Sequence, residues 1–265
     1  ALLGAFDGLH LGHQALIQRA QELGAMAPLG VDAGAAIDGL PTRLSASISP
    51  ARVATTLVCF EPLPRQFFAP DQALPRLSSP AQRLDCLRQL GVEQCWQLRF
   101  NRALAQTSAE DFIRHVLIEG LAVEHVVVGE DFRFGARRQG DVALLQSWGQ
   151  RAGFQVHGIG PVNDSEERIS SSRIRAALAA GDLAAAQSML GRPFRLRGRV
   201  RAGRQLGRTL GYPTANLALP RRAPPLSGIF ATRVRFLDAP ALESGWRDSV
   251  SSLGYRPTVG AGEFL

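Results

Sequence analysis

Along the first 160 residues, short apolar runs of strand length alternate with segments whose apolar residues recur at helical spacing. Ala1-Leu2-Leu3 runs into a glycine-bearing turn, Gly4 to Gly8, and then into Gln14–Ala20, which is helical in character. Val53–Phe60 reads as a buried strand, Ser79–Leu90 as a helix with a Ser-Pro start, and Gln94–Phe100 as the next strand. Ser108 opens a helix with the capping pattern Ser108-Ala109-Glu110-Asp111, and that helix carries Phe112, Ile113, Val116 and Leu117 on one face. His125–Val128 is a strand, Asp141–Ala152 a helix and Phe154–Ile159 a further strand. About five strands separated by helices predict an α/β fold, an open parallel sheet covered on both faces. One stretch breaks the rhythm. Residues 26–52 are rich in Ala, Gly, Pro and Ser with little periodicity, and read as a long mobile insertion.

Past Arg168 come two short helices, Ser170–Ala180 and Leu183–Leu190, and the texture then changes. Runs of β character at Arg197–Val200, Ile229–Phe236 and Ser249–Leu253 are separated by Gly- and Pro-rich turns with no long helix, which predicts a small β-barrel or sandwich. The boundary falls near Gly191-Arg192-Pro193, giving domains over 1–188 and 189–265.

Composition narrows the partners. A chain of 265 residues, 45% hydrophobic and 20% charged, can bury two modest cores. It has no apolar run of membrane-spanning length and no charged-then-apolar leader, so a cytoplasmic protein without a membrane partner is expected. Cys59, Cys86 and Cys95 form neither a disulfide framework nor a zinc pattern, and are expected to be small buried hydrophobes. The net charge of +7 is carried by arginines, which favour polyanionic ligands and hold phosphates bidentately.

Two motifs carry chemistry. The segment from Gly4 to His13, with Phe6, Gly8 and Gly12 inside it, sits where the first strand hands over to its helix. A phosphate fits there, because the backbone N–H groups and helix dipole point at it and the glycines allow close approach. His10 and His13 can donate hydrogen bonds to phosphate oxygens as charge builds during substitution at phosphorus. A metal is the competing reading of this His-x-x-His spacing, but no third ligand lies close in sequence. In the second motif, Ile169-Ser170-Ser171-Ser172-Arg173-Ile174-Arg175, hydroxyls start a helix and Arg175 lies about one turn inside it. Such a start can clamp phosphates and neutralise departing pyrophosphate, with an ordinary serine cap as the plainer alternative.

Both motifs together are what nucleotidyltransferases of Rossmann-like fold show, and the chain resembles the bacterial bifunctional riboflavin kinase/FAD synthetase family. The resemblance rests on Gly4–Gln14, Phe60–Phe68, Val128–Gly135, Ile169–Arg175, Leu190–Phe194 and Gly207–Asn216, and covers the whole chain except the insertion. It implies adenylyl transfer from ATP to FMN, giving FAD and pyrophosphate with Mg2+ assisting, and phosphorylation of riboflavin by the second domain. It also implies phosphate-handling roles for His10, His13, Ser171, Ser172 and Arg175, and ATP contacts at Gly4, Phe6, Gly8, Gly12, Gly207 and Gly211. Pro64, Phe68, Phe112, Asp131, Phe134 and Arg168 would surround the flavin, while Thr214 and Asn216 would help hold the metal and phosphates of the kinase. Small molecules are the expected partners, and no nucleic acid.

The glutamate that the resemblance implies as the kinase's base falls in a Glu-x-His segment beyond the turn Arg256–Val259. Glu263 comes too early to match it, and no base is assigned. The barrel therefore reads as incomplete and the chain as truncated at both ends. Two other readings stay open: another nucleotidyltransferase of the same fold, and a non-catalytic basic RNA-binding protein suggested by the arginine-rich second domain.

Overall fold

The structure is a computed structural model that describes residues 1–26, 53–72, 74–202, 211–212, 214–219, 224–237 and 245–254, and the backbone of 42–43. A six-stranded sheet forms its centre. In chain order the strands are β1 (Leu2–Leu3), β2 (Thr42–Arg43), β3 (Thr56–Glu61), β4 (Gln94–Arg99), β5 (His125–Gly129) and β6 (Gln155–Ile159), and in space β2-β4-β3-β1-β5-β6. All adjacent pairs are parallel except β2–β4. The five parallel strands are those the sequence predicts. Antiparallel β2 is not, because it lies inside the segment read as a mobile insertion, most of which is outside the described residues.

Burial explains why consecutive strand residues are apolar. Leu57, Val58 and Cys59 are all fully buried, as are Val126 and Val128, because both faces of the sheet are covered. The pleat sends Leu2, Leu57, Cys59, Cys95 and Val127 to one face, where they meet Ile17, Ala20 and Leu23 of α1 (Leu11–Met26) and Leu87 of α3 (Pro80–Gln89). Leu3, Val58, Val126 and Val128 go to the other face. They meet Phe112 of α5 (Ala109–Phe112), Ile113 and Leu117 of its continuation, and Leu145 of α6 (Val142–Ala152). That continuation, Ile113–Gly120, has the wider i→i+5 winding of a π-helix. Cys59 and Cys95 are buried as expected, and Cys86 is half-buried.

Caps set the helix limits. Ser79 and Gln82 form a reciprocal capping box with Pro80 in the first turn, and Ser108 and Asp141 accept from the backbone N–H three residues on. Among the short elements that escaped the sequence reading are α2 (Pro64–Phe68), α4 (Arg102–Gln106), and the hairpin of β7 (Asn163–Asp164) with β8 (Glu167–Arg168). Each is too short to show a period. The first predicted helix begins earlier, at Leu11, because its first turn holds Gly12 and His13, which add nothing to the apolar periodicity.

Helices α7 (Ser171–Ala179) and α8 (Leu183–Leu190) form a third apolar cluster, in which Ile174, Leu178, Met189 and Leu190 meet Leu77, Ile169 and Leu226. Beyond it lie two antiparallel pairs, β9 (Arg199–Arg201) with β10 (Asn216–Ala218) and β11 (Gly228–Val234) with β12 (Arg247–Leu253). This region touches the first through Phe194 and Phe230 on the third cluster, the Gln82 amide donating to the Arg195 carbonyl, and an Arg197–Asp85 ion pair.

Candidate active site

Counted in chain order, the five parallel strands lie 3-2-1-4-5, so the chain leaves β1 for one side of the sheet and later returns to the other. In such sheets the crevice at the strands' carboxyl ends, where the order reverses, receives ligands. Here it lies beside the ends of β1 and β5.

Beyond β1 the chain takes an unusual path. Phe6, Gly8 and Leu9 all have positive φ, at 48°, 84° and 43°. A side chain on Gly8 would also meet Leu77 Cδ1 at 2.8 Å, so glycine is required there. Phe6 and Leu9 bear the strain because their side chains are fully buried anchors. Phe6, a candidate ATP contact, thus has only its backbone to offer a ligand.

His10 precedes α1, and His13 lies one turn in. Their rings stack at 3.8 Å between centroids. Gly12 makes this possible, since a Cβ there would stand 3.2 Å from His10 Cε1 and Nδ1. His10 is only 7% exposed, and neither His10 Nδ1 nor His13 Nδ1 has a hydrogen-bond partner among the described residues. Burial first, then the charges of Arg168, Arg192 and Arg175, push the His10 pKa down to about 4. Burial, then His10, Arg168 and Arg192, hold His13 well below its ordinary value. Both rings are therefore neutral near pH 7, each with one N–H and one lone pair, beside guanidinium groups from three different segments. Orphaned donors, surrounding positive charge and the start of a 16-residue helix make a setting for an anion.

Arg168 is paired. On β8, it holds Asp131 in a two-pronged ion pair at 2.7 and 3.1 Å, and the bond keeps the Asp131 carboxyl below its usual range. Asp131 follows β5, so this pair brings the end of the second strand of the crevice toward the histidines.

Asp7 organises the remaining parts. Its carboxylate, 5% exposed, accepts from the backbone N–H of Leu77 and Ser78 at 3.1 and 3.2 Å and forms an ion pair with Arg175. Arg175 also donates to the Pro75 carbonyl at 2.7 Å, and Ser171 Oγ donates to the Asp7 carbonyl at 2.9 Å. Ser78 Oγ accepts from Gly8 N–H at 3.2 Å. Glycine loop, residues 75–78 and α7 are thereby fastened together. Arg175, expected to neutralise pyrophosphate, has Nε and Nη2 committed to this structure, which leaves Nη1 without a partner among the described residues. Ser170 caps α7 by accepting from Arg173 N–H, and Ser172 is exposed beside it.

Residues 42–173 match the family model of FAD synthetase, and residues 190–264 match that of riboflavin kinase. The chain is 38% identical over 257 residues to a bifunctional riboflavin kinase/FMN adenylyltransferase of Escherichia coli K12, covering 97% of this chain and 73% of that one. It belongs to the bifunctional riboflavin kinase/FMN adenylyltransferase family. Its relative of the same description in Pseudomonas fluorescens is 39% identical, over 98% of this chain and 73% of that protein. A crystal structure described as a macrolide-efflux protein from Streptococcus pneumoniae superposes with a TM-score of 0.73 and 27% identity, covering 99% of this chain and 76% of that one. No helix among the described residues is long and apolar enough to cross a membrane.

The flavin candidates of this family member separate into two kinds. Phe68 ends α2 at the carboxyl end of β3, 66% exposed, its ring edge-on to Phe100 at 5.7 Å. Pro64 starts the same helix and is half-buried. Phe112 and Phe134, by contrast, are 3% and 6% exposed and pack on each other within the second core cluster. Their side chains have become core. Arg76 supports the α2 corner by bridging Glu61 at 2.8 Å and Gln66 at 3.0 Å, and neither Arg76 nor Glu61 was among the candidates.

In the kinase region Thr214 is exposed and Asn216 half-buried on β10, opposite Arg201. Gly211 has φ +79°, with nothing near its would-be Cβ among the described residues, and Gly4 would press a Cβ against the Phe6 ring at 3.1 Å. Gly203, Arg204, Gly207, Arg208, the turn Arg256–Val259 and Glu263 lie outside the described residues. Among the described residues no three His, Cys, Asp or Glu side chains stand together as a metal site. Asp7, Gln14, Ser78 and Arg192 were missed as candidates. Apart from the local bonds of Gln14 to Leu9 and Arg192 to Leu190, their partners lie 70 to 184 residues away, and spacing in sequence carries no sign of them.

Proposed function

We propose that this protein makes FAD in two steps, phosphorylating riboflavin in residues 189–265 and transferring the adenylyl group of ATP to the resulting FMN in residues 1–188. The observation that carries the second step is the stacked, neutral His10–His13 pair at the crevice beside β1, with both Nδ1 atoms unpartnered among the described residues and the charges of three arginines acting on it. Neutral imidazoles can donate to phosphate oxygens of ATP without carrying a proton out of water beforehand, and the start of α1 favours the same anion. An FMN phosphate oxygen would attack the α-phosphorus as the bond to pyrophosphate breaks. Little covalent work falls to the protein, so positioning and charge stabilisation dominate. Ser171, Ser172 and Nη1 of Arg175 would meet the departing pyrophosphate, while Gly4, Gly8 and Gly12 let the nucleotide approach the backbone.

Phe68 and Pro64 offer the exposed face on which an isoalloxazine ring could stack, and the exposed Arg168–Asp131 pair offers polar groups to the flavin. Phe112 and Phe134 would shape that wall from behind. In the kinase step a riboflavin hydroxyl attacks the γ-phosphorus, releasing ADP. Thr214 and Asn216 offer oxygen donors two residues apart, the donor type Mg2+ prefers, and a Mg2+ ion that keeps its waters and takes phosphate oxygens needs few protein ligands. When bound, it would offset phosphate charge. Three free cysteines accord with a reducing, cytoplasmic setting.

The test is to incubate the purified chain with ATP and Mg2+, add riboflavin or FMN in separate reactions, and resolve FMN and FAD by chromatography. FMN and FAD from riboflavin support both steps, and FAD from FMN alone supports only the transferase. Neither product from folded protein that still binds ATP would overturn the reading in favour of another acceptor.

A further inference from the structure

The segment Leu190–Phe194 joins the two regions, and one of its residues reaches into the glycine loop. Arg192 Nη2 donates to the Gly8 carbonyl at 2.5 Å, and Nη1 donates to the Leu9 and Leu190 carbonyls, each at 3.1 Å. Gln14 Nε2 donates to the same Leu9 and Leu190 oxygens at 2.9 and 3.0 Å. Gly191 permits this approach. It has φ +69°, and a Cβ there would strike Leu11 Cδ2 at 2.8 Å.

These bonds fall on the strained part of the loop. A non-glycine residue such as Leu9 at φ 43° is strained and persists only where its surroundings fix it. Within a trans peptide the C=O and N–H point opposite ways. With the Gly8 and Leu9 oxygens turned to Arg192, the N–H groups of Leu9 and His10 point away from it, and neither donates to a protein group among the described residues. They continue the row of orphan N–H groups that begins α1, beside the buried, unpartnered Nδ1 of His10.

We propose that Arg192 is a positioning residue for adenylyl transfer, fixing the Gly8 and Leu9 carbonyls so that the Leu9 and His10 N–H groups face the phosphates of ATP. The inference rests on the FMN adenylyltransferase reading above. It also makes the junction of the two regions a structural part of the first site. A lysine could supply the charge but not the planar fork that spans two carbonyls. The charge matters in its own right, since the groups acting on His10 are Arg192 from the junction, Arg168 from β8 (itself paired with Asp131) and Arg175 from α7 (paired with Asp7), while His13 stacks on it.

The experiment compares the full chain with Arg192→Met and Arg192→Lys. It measures kcat and KM for ATP in FAD formation, riboflavin kinase turnover in the same preparation, thermal unfolding, and the imidazole titration of His10 by NMR. Loss of the fork should lower kcat/KM for ATP by about 100-fold in Arg192→Met and by about 10-fold in Arg192→Lys, mostly in kcat, as expected when reacting groups are misplaced. The His10 midpoint should rise in Arg192→Met and stay in place in Arg192→Lys. Kinase turnover should persist. The proposal is overturned if kcat/KM in Arg192→Met stays within about threefold of the parent, if the His10 midpoint does not move, or if activity falls only in step with the folded fraction. Should Arg192→Met fail to fold, Arg192→Lys decides by the same kcat/KM criterion. A parent chain that forms no FAD from FMN would instead remove the underlying reading.

Discussion

Replacing Asp7 with Asn should unfasten the site while leaving its volume unchanged. Asp7 is 5% exposed and its partner Arg175 has a side chain 15% exposed, so the pair is largely out of water. The neutral amide leaves the guanidinium without its counter-charge, and turns an NH2 group toward the Leu77 or Ser78 N–H donors that the carboxylate now accepts. Breaking one side of a buried pair costs about 3–5 kcal/mol. The bond from Arg175 Nε to Pro75 O survives and the guanidinium keeps some exposure, which places the cost near the lower end, about 3 kcal/mol. At roughly 2–4 °C per kcal/mol for a domain of this size, the melting temperature should fall by about 6–12 °C. Urea unfolding followed by the fluorescence of Trp96 and Trp148, in a Trp246→Phe background that silences the second region, would measure it. A cycle of Asp7→Asn, Arg175→Met and the double variant isolates the pair, and the double variant should cost less than the sum of the singles by about 2 kcal/mol or more. A single-variant loss below about 1 kcal/mol, or additivity in the cycle, would refute the reasoning.

Other outcomes follow from the same geometry. Between pH 6.5 and about 4 the unfolded chain takes up a proton that folded His10 refuses, so stability should fall as pH drops through that window. The loss is about 3 kcal/mol from His10 alone, with His13 adding in the same direction; chemical denaturation at a series of pH values would show it, and His10→Gln should flatten the slope. Gly12→Ala should lower FAD formation by about 10-fold or more, because its methyl displaces the His10 ring, yet leave the melting temperature unchanged or higher, since alanine favours a helix. Phe68→Ala should raise the KM for FMN with a stability change of about 0.5 kcal/mol, whereas Phe112→Ala should cost about 3–5 kcal/mol of stability; equal thermal shifts in the two would contradict their different burial.

The alternation of buried strands with amphipathic helices was legible because side chains on a sheet covered on both faces must be apolar in continuous runs, and Leu57–Cys59 and Val126–Val128 are such runs. The turn and helix start from Gly4 to His13 were legible for a related reason, since the positive-φ glycine and the histidines of the first turn are neighbours in sequence. Short-range chemistry ends there. The strand order, and hence the position of the crevice, depends on which side of β1 each later unit packs. Phe112 and Phe134 read from the sequence as either a ligand wall or core, and packing alone showed that both are buried in the second cluster. Arg175 read as a phosphate ligand, and the structure adds that Asp7, 168 residues away, holds it; Arg192 read only as part of the domain boundary, and its fork reaches Gly8 across 184 residues. Sequence by itself determined the layers, the turn and the kinds of chemistry available, because these follow from local periodicity and residue type. Only the tertiary structure decided which charges are paired, which rings face solvent and which carbonyls are held, because those depend on distances between segments that the chain brings together when it buries its apolar surface.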